Sequence, residues 1–583
     1  MMINKRYRRL LIGLSFIICH LTFSGALVSC SDFLEVKPLE QIVLGNFWNE
    51  ESDVQNVVSS CYAAMQQPAW TNRAIVWGEA RSENLVGGER INDSTSLVNV
   101  TKENLTATNA FCKWESFYSV INRCNTILLY APQVAEKDPN YTQSELQATI
   151  AEVSALRALN YFYLIRAFRD VPYTTTPFIE DTQTMDLPAT PFAAVLDSLT
   201  TNLESVIDNA VVYYPETNPE YQTSRITQDA IHALLCDMYL WKQDFQKAID
   251  HADAVIRSKQ RDYQEESERV GGVSSGLIDR LISGFPLIAD DYASGSQFGR
   301  AFYTIFGEGN STESIFELYF SPDDNRRSNL GVSVLYGSTD GGNGIFCPSD
   351  VVANDIGDAQ FTVFADRYDA RSFENIYRQS ATQFVVAKYA SQDATVSTST
   401  NPYSVYNQNM RWPKDRCHAN WIFYRLTDVM LMKAEALTML VSTNDTPDDE
   451  DNSRLRTAFT LIDAVNRRSY TGTQATSGLA YTRFSTRTNM LNLVFDERNR
   501  ELMFEGKRWF DLVRRSMYDG NTNYLVSKAG RKYTNNKSAA ESKLSRMDAI
   551  FWPYHEDELK VNRNLVQNPA FGSGDKSVFE VSQ

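Results

Sequence analysis

From Thr227 to Trp241 the chain reads TQDAIHALLCDMYLW, and its apolar residues recur at helical spacing. Ala230, Leu234, Met238 and Trp241 fall on one face, three or four residues apart. A Lys-Gln-Asp turn follows, then FQKAIDHADAVI, where Ala248, Ala252 and Val255 repeat the spacing. Two short helices, small residues where they cross and an Asp-bearing turn predict a tetratricopeptide-type hairpin. The stretch from Leu426 to Leu440, with 459–465, repeats the theme less regularly. A strict period of about 34 residues is absent, which excludes a uniform solenoid.

The same periodicity predicts helices over 49–67, 114–131, 143–169, 192–209, 226–257, 425–441, 454–469 and 487–517. The fold class is therefore mostly α: helical hairpins forming a scaffold, with long irregular insertions and minor β. SIFELYF at 314–320 alternates like a short strand. The stretches 284–344, rich in glycine and aromatics, and 390–421, rich in Ser, Thr and Asn, break the helical pattern. Trp412 and Trp421 lie near the end of the second. Insertions of this length on a rigid body are where binding surfaces form. The acidic run 445–451 lacks the spacing of a calcium loop and reads as solvated linker.

The start of the chain sets the compartment. Lys5, Arg6, Arg8 and Arg9 precede an apolar stretch from Leu10 to Val28, the pattern of a secretory signal. LVSC at 27–30 resembles the bacterial lipobox, in which the Cys thiolate takes up a diacylglyceryl group. On this reading residues 1–29 are a lipoprotein signal peptide and Cys30 is the lipidation site. The mature chain then has 583 minus 29, or 554, residues. Four basic and no acidic residues leave with the signal, taking the net charge from −16 to −20. Outside the first ten residues no basic block interrupts this excess, which argues against nucleic acid as a partner.

Residues that could carry chemistry are scattered. GVSSG at 272–276 matches the Gly-x-Ser-x-Gly elbow, but a charged stretch precedes it and no strand series surrounds it. His418 and His555 have no orienting partner in sequence, and the five histidines do not cluster. Cys61, Cys112, Cys124, Cys236, Cys347 and Cys417 contain no Cys-x-x-Cys; they read as small buried hydrophobes with room for a bridge. No catalytic residue, metal or cofactor is predicted.

Five blocks, in order, carry a family resemblance. AEVSALRALNYFYLIRAFRDVPY at 151–173 is similar to the signature helix of the SusD/RagB family, outer-membrane nutrient-binding lipoproteins of Bacteroidota. Residues 225–248 resemble the family's tetratricopeptide hairpin, WIFYRLTDVMLMKAEA at 421–436 its later helix, and FDERNRELMFEGKRWFDLVR at 495–514 its most recognisable motif. The tail, Trp552-Pro553 followed by NLVQNP at 564–569, also fits, and CSDFLE at 30–35 resembles the family's lipidated start. Within 495–514, Glu497, Glu501 and Glu505 repeat at four, with Arg498, Arg500 and Arg508 placed to answer them. Phe504 and Trp509, like Tyr161, Phe162, Tyr163 and Trp241, read as core.

The resemblance implies one domain over 30–583, with an N-terminal part of about 30–350 and a C-terminal part of about 351–583 interwoven. It implies a palmitate-bearing lipoprotein on the exterior of the outer membrane, acting as lid of a SusC-like TonB-dependent transporter and binding an oligosaccharide. The family's ligand face, built from loops after the first helix and from mid-chain insertions, points to Trp70, Trp77, Arg81, Asn84, Tyr292, Tyr303 and Tyr336. Two rival readings remain: a peptide ligand in the same uptake system, and a secreted hydrolase.

Overall fold

The computed structural model describes residues 47–572, apart from 181, 270–280, 290–298, 322–327, 341, 354–362, 365–367, 379–383, 398, 400–403, 443–447 and 472–478. The expected signal segment, Cys30, the 272–276 stretch, Tyr292 and part of the 445–451 acidic run lie outside the described residues.

Helices dominate what is described. They are α1 (Glu51–Met65), α2 (Pro68–Ile75), α3 (Glu115–Lys137), α4 (Gln143–Phe168), α5 (Phe192–Val206), α6 (Gln228–Lys242), α7 (Phe245–Arg269), α8 (Leu426–Leu440), α9 (Asp449–Arg468), α10 (Arg487–Leu502) and α11 (Arg508–Asp519). Local chemistry sets several ends. Thr142 and Glu145 form a reciprocal capping box at the start of α4, and Pro68 opens α2. Thr227 caps α6, and Gln243, at φ 62°, turns the chain into α7. A helical hairpin forms where one is expected over 226–257, with its second helix running on to Arg269.

Side by side, α3 packs on α1 and α4, α7 on α6 and α8, and α9 on α8 and α10. α4 runs through the middle; residues from Ala151 to Phe168 are buried all round. One contiguous core reaches from Trp48 to Leu565. The strand expected at 314–320 is β1 (Ser314–Leu318), paired antiparallel with β2 (Trp421–Arg425) so that Trp421 faces Leu318. Its alternation predicts one solvated face, yet every residue of both strands is buried.

The motif at 487–517 departs from the expected single helix. α10 ends at Leu502, and 503–507 turn sharply, with Phe504 at φ 67° and Gly506 at φ 69°. Only then does α11 begin. The turn lets the motif approach α2 and its continuation: a Cβ on Gly78 would lie 1.7 Å from the Gly506 carbonyl oxygen. Glycine is required at both positions.

The motif's charges also find other partners than their helical neighbours. Glu501 is met by Arg371 at 2.8 Å, by Arg425 at 2.5 Å and by Arg468. Glu505 takes Arg425 at 2.8 Å and Lys388 at 2.6 Å. Of the expected answers only Arg500 stays local, on Glu497 at 2.7 Å. Arg498 bridges Asp428 and Asp511, and Arg508 pairs with Glu83 at 2.6 Å. Burial alone would raise the Glu501 carboxyl; Arg468, Arg425 and Arg371 outweigh it and hold it well below the usual carboxylate range. Such a network is expensive to break, because each lost partner strands a buried charge.

Candidate functional site

The segment after α1 was expected to display Trp70, Trp77, Arg81 and Asn84. The structure corrects this. Residues 68–80 are helical, and Trp70, Trp77, Arg81 and Asn84 all point inward with at most 1% exposure. Trp70 and Trp77 each stack on Phe117, at 4.8 and 4.7 Å between ring centroids. Their indole N–H groups donate to Asn160 Oδ1 and to the Phe111 carbonyl, both at 2.8 Å. Arg81 pairs with Glu103 and lies 4.3 Å from the Trp509 ring centroid. Asn84 bridges Glu79 and Asn499. Tyr336 is also buried, donating to the Phe504 carbonyl at 2.9 Å. Their spacing serves packing, so these five hold the core together and present nothing to a ligand.

Tyr303 differs: it is 50% exposed. It opens a widened helical turn, Tyr303–Glu308, that closes at Gly309 with φ 73°. Gly307 in this turn leaves room for an arginine, since a Cβ there would come within 2.9 Å of Arg411 Nη1. Arg411 accordingly donates to the Phe306 carbonyl and to the Ser391 carbonyl, each at 2.7 Å. Its Nη2 is buried with no hydrogen-bond partner among the described residues. Burial pulls the guanidinium down to about 10, a trend the neighbouring Tyr303 phenol opposes.

Trp412 follows directly and is half-buried, 5.5 Å from the Arg411 guanidinium. Its indole N–H donates to the Tyr389 carbonyl at 3.2 Å, and His418 packs edge-on to it at 5.6 Å. His418 is thus placed by an aromatic ring. His555, the other histidine considered, caps a helix by accepting from Asp557 N at 3.2 Å.

Polar loops border this group. Thr339 N donates to the Trp412 carbonyl at 2.9 Å, and Lys414 N to Asp340 Oδ2 at 3.2 Å. Asn343 then reaches Glu89 at 3.0 Å, tying the 337–343 hairpin to the exposed 87–93 loop. The face so formed offers two aromatic rings set beside a buried guanidinium, with exposed Thr339, Asp340 and Lys414 side chains around them. A ring face can take the apolar C–H face of a ligand while the polar rim takes its hydroxyls. Among the described residues no group of three or more His, Cys, Asp or Glu could hold a metal ion. Sequence reasoning missed Arg411; the signal within reach was its neighbour Trp412, an aromatic near the end of a polar insertion.

Comparisons with known proteins agree with this architecture. A profile described as "SusD family" matches residues 312–571, and one described as "Starch-binding associating with outer membrane" matches 32–240. A SusD-like protein of Formosa agariphila is 24% identical over 96% of this chain and 98% of its own length. A SusD superfamily structure from Bacteroides vulgatus superposes with a TM-score of 0.63 at 17% identity, covering 90% of this chain and 100% of that one. A structure described as a laminarin-binding SusD-like protein gives 0.57 at 19% identity, with 90% and 100% covered. The motif blocks, the helical fold and these matches over both halves make the chain a member of the SusD/RagB family.

Proposed function

We propose that the protein is a cell-surface lipoprotein that captures an oligosaccharide on the face formed by Tyr303, Arg411 and Trp412. The observation that carries the reading is the placement of partly exposed aromatics around a guanidinium on insertion loops, in a family with a laminarin-binding member. Sugars offer alternating apolar faces and hydroxyls, which such a surface meets without bond chemistry. The mature unit spans 30–583, is held to the outer membrane by lipid on Cys30 and faces outward. It acts as lid of a SusC-like TonB-dependent transporter, trapping ligand between lid and barrel before import. The family profile over 32–240, described as associating with the outer membrane, supports the location.

The test is a binding screen of purified protein against oligosaccharides and peptides, repeated with Tyr303→Ala and Trp412→Ala. The reading expects oligosaccharide binding that weakens about tenfold or more in Trp412→Ala, the loss expected for one stacking ring. Binding of peptides alone would replace the sugar with a peptide. Sugar binding untouched by either substitution would move the site elsewhere.

A further inference from the structure

Cys61 lies on α1 and Cys124 on α3, and their sulfur atoms are 3.9 Å apart. Both residues are fully buried where the two helices pack. Cys61, Cys112 and Cys347 turn their thiols to the carbonyls of Val57, Thr106 and Gly87, and Cys61 in addition meets the sulfur of Cys124. We propose that Cys61 and Cys124 form a redox modification site, oxidised to a disulfide as the chain folds outside the cytoplasm and riveting α1 to α3.

The step is a thiol–disulfide exchange with a donor disulfide, of the protein or glutathione class. One cysteine thiolate attacks the donor, forming a mixed disulfide and releasing one donor thiol. The second cysteine attacks that mixed disulfide, closing the Cys61–Cys124 bond and releasing the second donor thiol. Two protein thiols lose two electrons and two protons, and the donor disulfide gains them. The sulfurs need to close by about 2 Å to reach bonding distance, within reach of a side-chain rotation at a helix contact.

The position gives the bond a purpose. α1 is the first described helix after the segment that would carry the lipid, so a pull on the anchor enters the body through it. Its apolar residues Val54, Val58 and Met65 are held by packing alone. Among its polar ties, Glu51 N donates to Asp138 at 2.9 Å, Tyr62 to Glu152 at 2.6 Å, and Lys137 to the carbonyl of Trp48, just ahead of α1, at 3.1 Å. A covalent link 63 positions long constrains the unfolded chain strongly. Full burial closes the site once folded, so oxidation belongs to the folding phase.

The inference rests on the export proposed above, and the experiment separates the two. The reduced, denatured full chain is refolded with glutathione disulfide, alkylated and mapped by mass spectrometry without reduction. A cross-linked peptide pair containing Cys61 and Cys124 is expected, and the same reagent added to folded reduced protein should form it at least tenfold more slowly. Reduction should lower the melting temperature by roughly 5 °C. Cys124→Ser should lower it equally, with no further loss on reduction. Alkylation of both residues after refolding overturns the proposal, even if Cys124→Ser fails to fold. On protein extracted from membranes, lipid at Cys30 with both thiols free refutes the bridge and leaves export standing; absence of the lipid refutes export while the refolding result decides the bridge.

Discussion

Glu79 is a carboxylate sealed in the core and makes no ion pair among the described residues. It accepts N–H groups from Phe504 at 3.3 Å, Gly506 at 3.1 Å and Lys507 at 3.3 Å, and the Asn84 amide at 2.8 Å. Burial pushes its carboxyl up to about 7, although these donors oppose the rise. A raised folded value means the folded state holds the proton where the unfolded chain, near 4.5, has lost it. Stability from this group is therefore present below about pH 4.5 and is lost as pH rises through about 7. Wild type should lose on the order of 3 kcal/mol relative to Glu79→Gln across that window, read from urea unfolding at several pH values. A constant difference would contradict the assignment. Trp77→Ala should cost about 3–5 kcal/mol of stability, since it empties a buried, stacked position. A loss below about 1 kcal/mol would put that ring outside the core. The burial of this segment was legible: Trp70, Ala74, Trp77 and Arg81 recur at helical spacing, and aromatic type alone does not distinguish a displayed ring from a packed one.

At the scale of elements, the long helices follow from apolar periodicity and caps, both local properties, and most expected spans form within about a turn or two, while the one ending at 257 runs on to Arg269. The break at 503–507 is set by a contact from the other end of the chain, the approach of Gly506 to Gly78. Gly78→Ala should abolish soluble folded protein, because the added methyl meets backbone rather than a movable side chain; a well-folded variant would refute that packing. Likewise the pairing of Glu501 with Arg371, Arg425 and Arg468 draws on three distant segments, which spacing within one helix cannot foretell. Arg425→Met should cost about 3–5 kcal/mol by chemical denaturation, as Glu501 and Glu505 lose their shared partner. A change within 0.5 kcal/mol, the range of an ordinary surface substitution, would contradict the network's role.

For the whole molecule, the division of labour is between an inward majority of aromatics and a few on insertion loops. Trp70, Trp77 and Tyr336 belong to the first group and Tyr303 and Trp412 to the second. Which loops adjoin is a property of the assembled chain: Tyr303 and Trp412 stand 109 residues apart in sequence and meet through Arg411. The measurement closest to the central claim is hydrogen–deuterium exchange of the purified protein with and without a bound oligosaccharide. The account predicts slowed exchange in 299–309, 337–344 and 411–418, with 65–84 unchanged. Slowing confined to 65–84, or to the helical hairpins with none in those loops, would contradict it.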